Sequence, residues 1–169
     1  MDATMTAYTV TTFLVMAQRA GFSVDSPEFV ALAKRIGGED SGEALGQELV
    51  AVVQGYIGDG SPDAVIAGLK ALLGAAVTAD ANYGDHRDAR LAGIRRTLFG
   101  RSTPWLAWVL ERSPEGTLHS TCLLVEDFAD KVVVMDPNPF NDIDESRRYS
   151  ISEFLAIWEL AGCRSLSIH

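Results

Sequence analysis

The hydrophobic pattern changes period once along this chain, and that change restricts the fold more than any other feature. Through about residue 100 apolar side chains recur at helical spacing, as in Val10, Phe13, Leu14 and Ala17. From Pro104 onward they come instead in short runs of β-formers. Helices gathered ahead of strands, without the regular strand–helix alternation of a parallel sheet, predict an α+β fold. A helical part over about residues 1–100 should pack on an antiparallel sheet built from about residues 101–169, as a single domain, which a length of 169 residues suits.

Element ends are written in local chemistry. Asp2 reads as the N-cap of a first helix that Gly21 ends, and Ser26-Pro27 and Ser61-Pro62 each read as an N-cap followed by proline at the first helical position. The second helix carries Phe29, Leu32, Ala33 and Ile36 and stops at Gly37-Gly38. Leu45, Leu49, Val52, Val53 and Tyr56 mark a third, and Val65, Leu69, Leu72, Leu73 and Ala76 a fourth. A fifth spans Arg87 to Leu98 after the polar turn Asn82 to His86. Strands are expected over Trp105 to Leu110, Leu118 to Val125, Lys131 to Met135 and Arg164 to Ile168, with a helix over Ser152 to Leu160.

Charge and cysteine content remove several classes of function. A net charge of -9 repels phosphate backbones and anionic lipid, so neither nucleic acid nor a membrane is an expected partner. The apolar runs are too short to span a bilayer, and no basic segment followed by an apolar one opens the sequence, so a cytoplasmic location is expected. Cys122 and Cys163 make no disulfide framework and lack metal-ligand spacing with the three histidines; reduced thiols, no metal and no cofactor are expected.

The stretch from Leu118 to Pro137 holds the candidate chemistry. Two runs of β-formers are joined by a connection from Glu126 to Asp130 that is short enough for a hairpin. If Val125 faces Asp130, His119 lies directly opposite Asp136 on one face. If Glu126 faces Asp130, the two side chains leave on different faces. In the first register the carboxylate would fix the ring of the histidine, which is the base-and-orienter half of a nucleophilic triad. The plain alternative is a strand-end histidine followed by an Asp136-Pro137-Asn138-Pro139 turn.

The order of features resembles the papain-like cysteine peptidases of the bacteriocin-processing, double-glycine type. The resemblance rests on a first helix opened by Asp2, a strand bearing His119, and a Val-rich strand ending in Asp136-Pro137. It is completed by Tyr149-Ser150-Ile151-Ser152-Glu153-Phe154 with Trp158 downstream. It covers the first helix and about residues 100 to 158, and implies a papain-like fold with His119 as general base and Asp136 as the residue orienting it. The family's nucleophilic cysteine falls on Ala3, at a helix N-terminus where a thiolate would be stabilised. Alanine cannot attack, Thr4 stands where the family has glycine, and the oxyanion-hole glutamine has no match.

Three accounts of Ala3 stand: a Cys→Ala change made to quiet an enzyme, a natural pseudoenzyme kept for binding, or a false resemblance. The implied activity is hydrolysis or acyl transfer at a peptide, amide or other acyl carbonyl, with a peptide or acyl substrate and a partner protein as the possible ligands. A non-catalytic peptide-binding or adaptor domain is the alternative. Thr4 and Thr6 read as first-turn hydroxyls rather than substitute nucleophiles. Cys122, at odd separation from His119, should point to the opposite face, and Cys163 reads as core. His86 sits in a solvated charge cluster, His169 reads as a frayed end, and Trp105, Trp108 and Trp158 read mainly as core aromatics, with cleft lining the alternative for Trp105 and Trp158. Asn141, Asp142, Asp144 and Glu145 read as a solvated acidic loop, with a selector for basic substrates as the rarer alternative.

Overall fold

The structure, a computed structural model, describes residues 3–36, 42–98, 105–135 and 147–169. Helix α1 (Ala3–Arg19) carries an apolar stripe, yet Thr6, Thr9, Thr11 and Thr12 between its apolar residues are buried as well. A helix buried on most of its circumference must satisfy its own polar side chains. Thr9, Thr11 and Thr12 do so by donating to the carbonyls of Met5, Ala7 and Tyr8, one turn back. The helix ends at Gly21, whose φ of +99° lets Gly21 N and Phe22 N donate to the carbonyls of Gln18 and Ala17.

Helix α3 (Gly42–Ile57) packs on α1, on α2 (Pro27–Arg35) and on α4 (Pro62–Leu73), and α5 (Arg87–Leu98) follows in the chain. Both Ser-Pro caps form as expected: Ser26 Oγ accepts from Phe29 N at 3.2 Å and Ser61 Oγ from Ala64 N at 3.3 Å. Asp2 and the Gly37-Gly38 stop lie outside the described residues. Helix α4 stops three residues short of the expected Ala76, because Gly74 takes φ +61° and the chain tightens into a 3₁₀ turn over Gly74–Ala76.

The sheet contains β1 (Val77–Ala79), β2 (Trp105–Arg112), β3 (Leu118–Phe128), β4 (Lys131–Val134), β5 (Arg147–Ser150) and β6 (Ser165–Ile168). Its order is β1-β6-β2-β3-β4-β5, with every neighbouring pair antiparallel. Helix α6 (Ile151–Leu160) lies between β5 and β6 in the chain and is capped by Ser150 Oγ, which accepts from Glu153 N at 3.1 Å. The α+β class and the helices-then-strands order match expectation, apart from β1 and β5, which the sequence pattern did not suggest.

Both faces of the sheet are covered, which explains why β2 reads as the unbroken run Trp105 to Leu110. Leu106, Trp108, Cys122, Leu124, Leu166 and Ile168 join the core made with α1 to α4. Trp105, Ala107, Val109, Leu123, Val125 and Phe128 face the other way, into a second core with Ile94, Phe154, Leu155 and Trp158. Burying each such large side chain contributes about 1.5–3 kcal/mol.

The β3–β4 hairpin differs from both expected registers. Strand β3 runs on through Phe128, a bulge falls between Val125 and Asp127, and Val125 faces Val134 rather than Asp130. Phe128 supplies the reason: it is buried, with its ring edge-on to Trp105 at 6.4 Å and to Phe154 at 5.9 Å. Burial draws residues expected in the loop into the strand, and the extra residue is absorbed by the bulge.

Candidate functional site

His119 is the second residue of β3 and is exposed. Its Cα partner is Glu111 of β2. Ala3 opens α1, while Asp136 and the acidic stretch Asn141, Asp142, Asp144 and Glu145 lie outside the described residues. Helix α1 packs on β3, and the β3 residues in its core, Cys122 and Leu124, are even-numbered. The regular pairing from Leu118 to Val125 therefore puts His119 on the pleat face of Glu111, Thr121 and Leu123, opposite the one α1 covers. Cys122 points away from His119 as expected, and the same parity roots His119 on the far side of the sheet from the body of α1.

A polar cluster that sequence reasoning missed is built around Glu111. Tyr149 Oη of β5 donates to Glu111 Oε1 at 2.5 Å, and Arg147 Nη1 lies 3.4 Å from Glu111 Oε2. The Arg147 guanidinium also stands over the Tyr149 ring, 5.7 Å from its centroid. Strands β2 and β5 are three places apart, roughly 14 Å in a flat sheet. Their direct contact means that the sheet curls towards this face. Burial first, and then the bond to Glu111, push the Tyr149 hydroxyl above the usual tyrosine range. Nothing in the local pattern of Arg147 to Ser150 signals the pairing, because the partner lies on a distant strand.

The remaining candidates fall into structural roles. Cys122 is buried, and desolvation pushes its thiol well above the ordinary range, so it is no nucleophile. Cys163 is partly buried in a left-handed conformation (φ +56°) and packs against the second core; desolvation raises its thiol as well. His86 has a definite task that composition did not reveal: its Nδ1 accepts from Ala89 N at 3.3 Å and caps α5. His169 is not frayed, since its N–H donates to the Ala76 carbonyl and its Nε2 lies 3.1 Å from Ser167 Oγ. All three tryptophans are core, with Trp105 Nε1 donating to Tyr83 Oη and Trp158 Nε1 to the Arg164 carbonyl. Thr6 is buried in α1 and Thr4 stands exposed in its first turn.

Among the described residues no group of three or more His, Cys, Asp or Glu side chains is placed to hold a metal ion, and no helix is long and apolar enough to cross a membrane. No family model, curated protein or solved structure matches the chain.

Proposed function

We propose that this chain is a relative of the papain-like cysteine peptidases that binds a peptide or other acyl carbonyl near the start of α1 and the His119 end of β3. With Ala3 at the nucleophile position, it holds such a ligand without turning it over. The observation that supports the reading is a largely buried helix that opens at Ala3 and packs on β3, the strand that carries His119 on its other face. A cysteine at position 3 would supply a thiolate favoured by the helix N-terminus. His119 would act as base towards the thiol and then as acid towards the leaving group, and Asp136 would hold the ring. Attack on the carbonyl carbon would form a thioester and expel the leaving group; water then gives hydrolysis, and an amine gives acyl transfer.

The test is Ala3→Cys labelled with iodoacetamide near neutral pH. The introduced thiol is expected to react faster than Cys122 or Cys163, His119→Ala to remove most of the excess, and Asp136→Asn to remove part of it. Equal, slow labelling of all three cysteines whatever occupies position 119 would overturn the reading of position 3 and His119 as a peptidase-type site. The second reading is a non-catalytic peptide-binding or adaptor domain, favoured by the pleat, which sets His119 beside Glu111 on the face that α1 does not cover. That equal labelling is the result it predicts.

A further inference from the structure

Away from His119, the loop 82–85 and one face of α5 border an open groove of about 390 Å³, lined by Asn82, Gly84, Asp85, Ala89, Ala92 and Arg96 together with Tyr83. A site of this volume takes a small molecule. Its walls are fixed by close packing. A Cβ on Gly84, which has φ +130°, would stand 2.5 Å from Ala89 Cβ, and one on Gly93 would stand 2.8 Å from the Tyr83 carbonyl oxygen. Only glycine lets loop and helix meet this closely. Tyr83 is anchored from behind, its hydroxyl accepting from Trp105 Nε1 at 3.1 Å and lying 3.3 Å from Ser165 Oγ. Asn82 Oδ1 accepts from Gly84 N, which leaves the amide NH₂ of Asn82 available as a donor.

The charges on this wall are the unusual part. Of the four arginines of α5, Arg87 and Arg90 pair with Glu159, and Arg95 donates to the Ala129 carbonyl. Arg96 has no hydrogen-bond or ion-pair partner among the described residues, and neither has the Asp85 carboxylate. Residues Ala89, Ala92 and Arg96 follow one another along a single helix face, and helical side chains lean towards the N-terminus, so Arg96 leans back over Ala92. Seven residues of helix, about 10 Å, separate Arg96 from Ala89, beyond which lies Asp85. One wall thus carries, at its two ends, a cation and an anion with no partner among the described residues, and small residues between them.

We propose that this open groove binds a short zwitterionic peptide, its carboxylate on Arg96 and its ammonium on Asp85, with the Asn82 amide donating to a peptide carbonyl. The site does not depend on the His119 chemistry.

The test is isothermal titration of the full chain with Ala-Ala, N-acetyl-Ala-Ala and Ala-Ala-amide. Ala-Ala is expected to bind saturably, and each blocked form about tenfold or more weakly, as loss of one charge-assisted contact implies. Arg96→Gln should weaken Ala-Ala but not the amide, and Asp85→Asn should weaken Ala-Ala but not the N-acetyl form. Both side chains are exposed and have no partner among the described residues, so unchanged thermal midpoints should confirm intact folding. Absence of saturable binding up to about 10 mM Ala-Ala, or equal affinity for all three peptides, overturns the proposal.

Discussion

Replacing Phe154 by alanine tests whether α6 is held to the sheet by its ring contacts. Phe154 is fully buried and meets four aromatic neighbours: Phe128 at 5.9 Å, Trp105 at 6.0 Å, and Tyr149 and Trp158 at 6.4 Å each. Loss of its transfer energy plus the cavity left behind sets the expected cost at about 3–5 kcal/mol. The rings around it are large and mutually braced, which leaves little room for collapse and places the cost towards the upper end. Phe154→Leu keeps most of the apolar volume but removes the ring–ring terms, each worth about 0.5–1.5 kcal/mol, so it should fall between the wild type and the alanine variant. For a chain of this size 3–5 kcal/mol lowers the melting temperature by roughly 6–20 °C. Urea unfolding followed by tryptophan fluorescence, with Trp105 and Trp158 as reporters, measures both variants. A loss under about 1 kcal/mol for Phe154→Ala, or identical losses for the two substitutions, would refute the reasoning.

Other expectations are smaller in scope. Trp105→Phe should cost about 1 kcal/mol more than Trp108→Phe, since Trp105 Nε1 donates to Tyr83 whereas Trp108 Nε1 is buried with no acceptor among the described residues; paired urea curves decide it. Tyr149 holds its proton more tightly in the folded state, so its contribution is whole below about pH 10 and is lost as pH rises through the raised value. Tyr149→Phe should therefore flatten part of the alkaline fall in the urea midpoint. Glu159 has the opposite sign: its hydrogen bond from Arg87 holds its carboxyl below the usual range, so its contribution is present at neutral pH and fades as pH falls through the lowered value. The stability gap between the wild type and Glu159→Gln should close on going from pH 7 to pH 3. Gly84→Ala should destabilise by about 1–3 kcal/mol, through the clash with Ala89 and a φ that alanine tolerates poorly, and calorimetry should show it.

What the sequence disclosed and what it hid divide by the range of the determining interaction. Helix starts at Ser26 and Ser61 and the stop at Gly21 depend on atoms within four residues, and those local patterns were readable. Strands β1 and β5 escaped because each is short and its pairing is remote: Val77 faces Ile168, and Lys131 faces Ser150. The hairpin register depended on a choice no local rule makes, between turning after Val125 and burying Phe128 among rings contributed by β2 and α6. The candidate site splits the same way. His119 on a strand and Cys122 on the opposite face followed from period-two geometry, whereas the bond between Glu111 and Tyr149 requires the curl of the whole sheet. The cap role of His86 is local, yet histidine is a rare cap and carried no usable signal.

The position of β6 has a consequence for how the molecule assembles. It follows every other element in chain order, yet it fills the gap between β1 and β2. Until Ser165–Ile168 is in place, the strand that trails the helical part and the hairpin that starts the β-rich part share no ladder, and the two cores can form around separate nuclei. Insertion of this strand closes a long loop back to Val77, a step that carries a large entropic cost and returns its hydrogen bonds only at the end. A weakened β6 should thus leave two partly ordered halves rather than a uniformly loosened molecule, with hydrogen exchange spreading outward from the Val77–Ile168 and Trp105–Ser167 pairs.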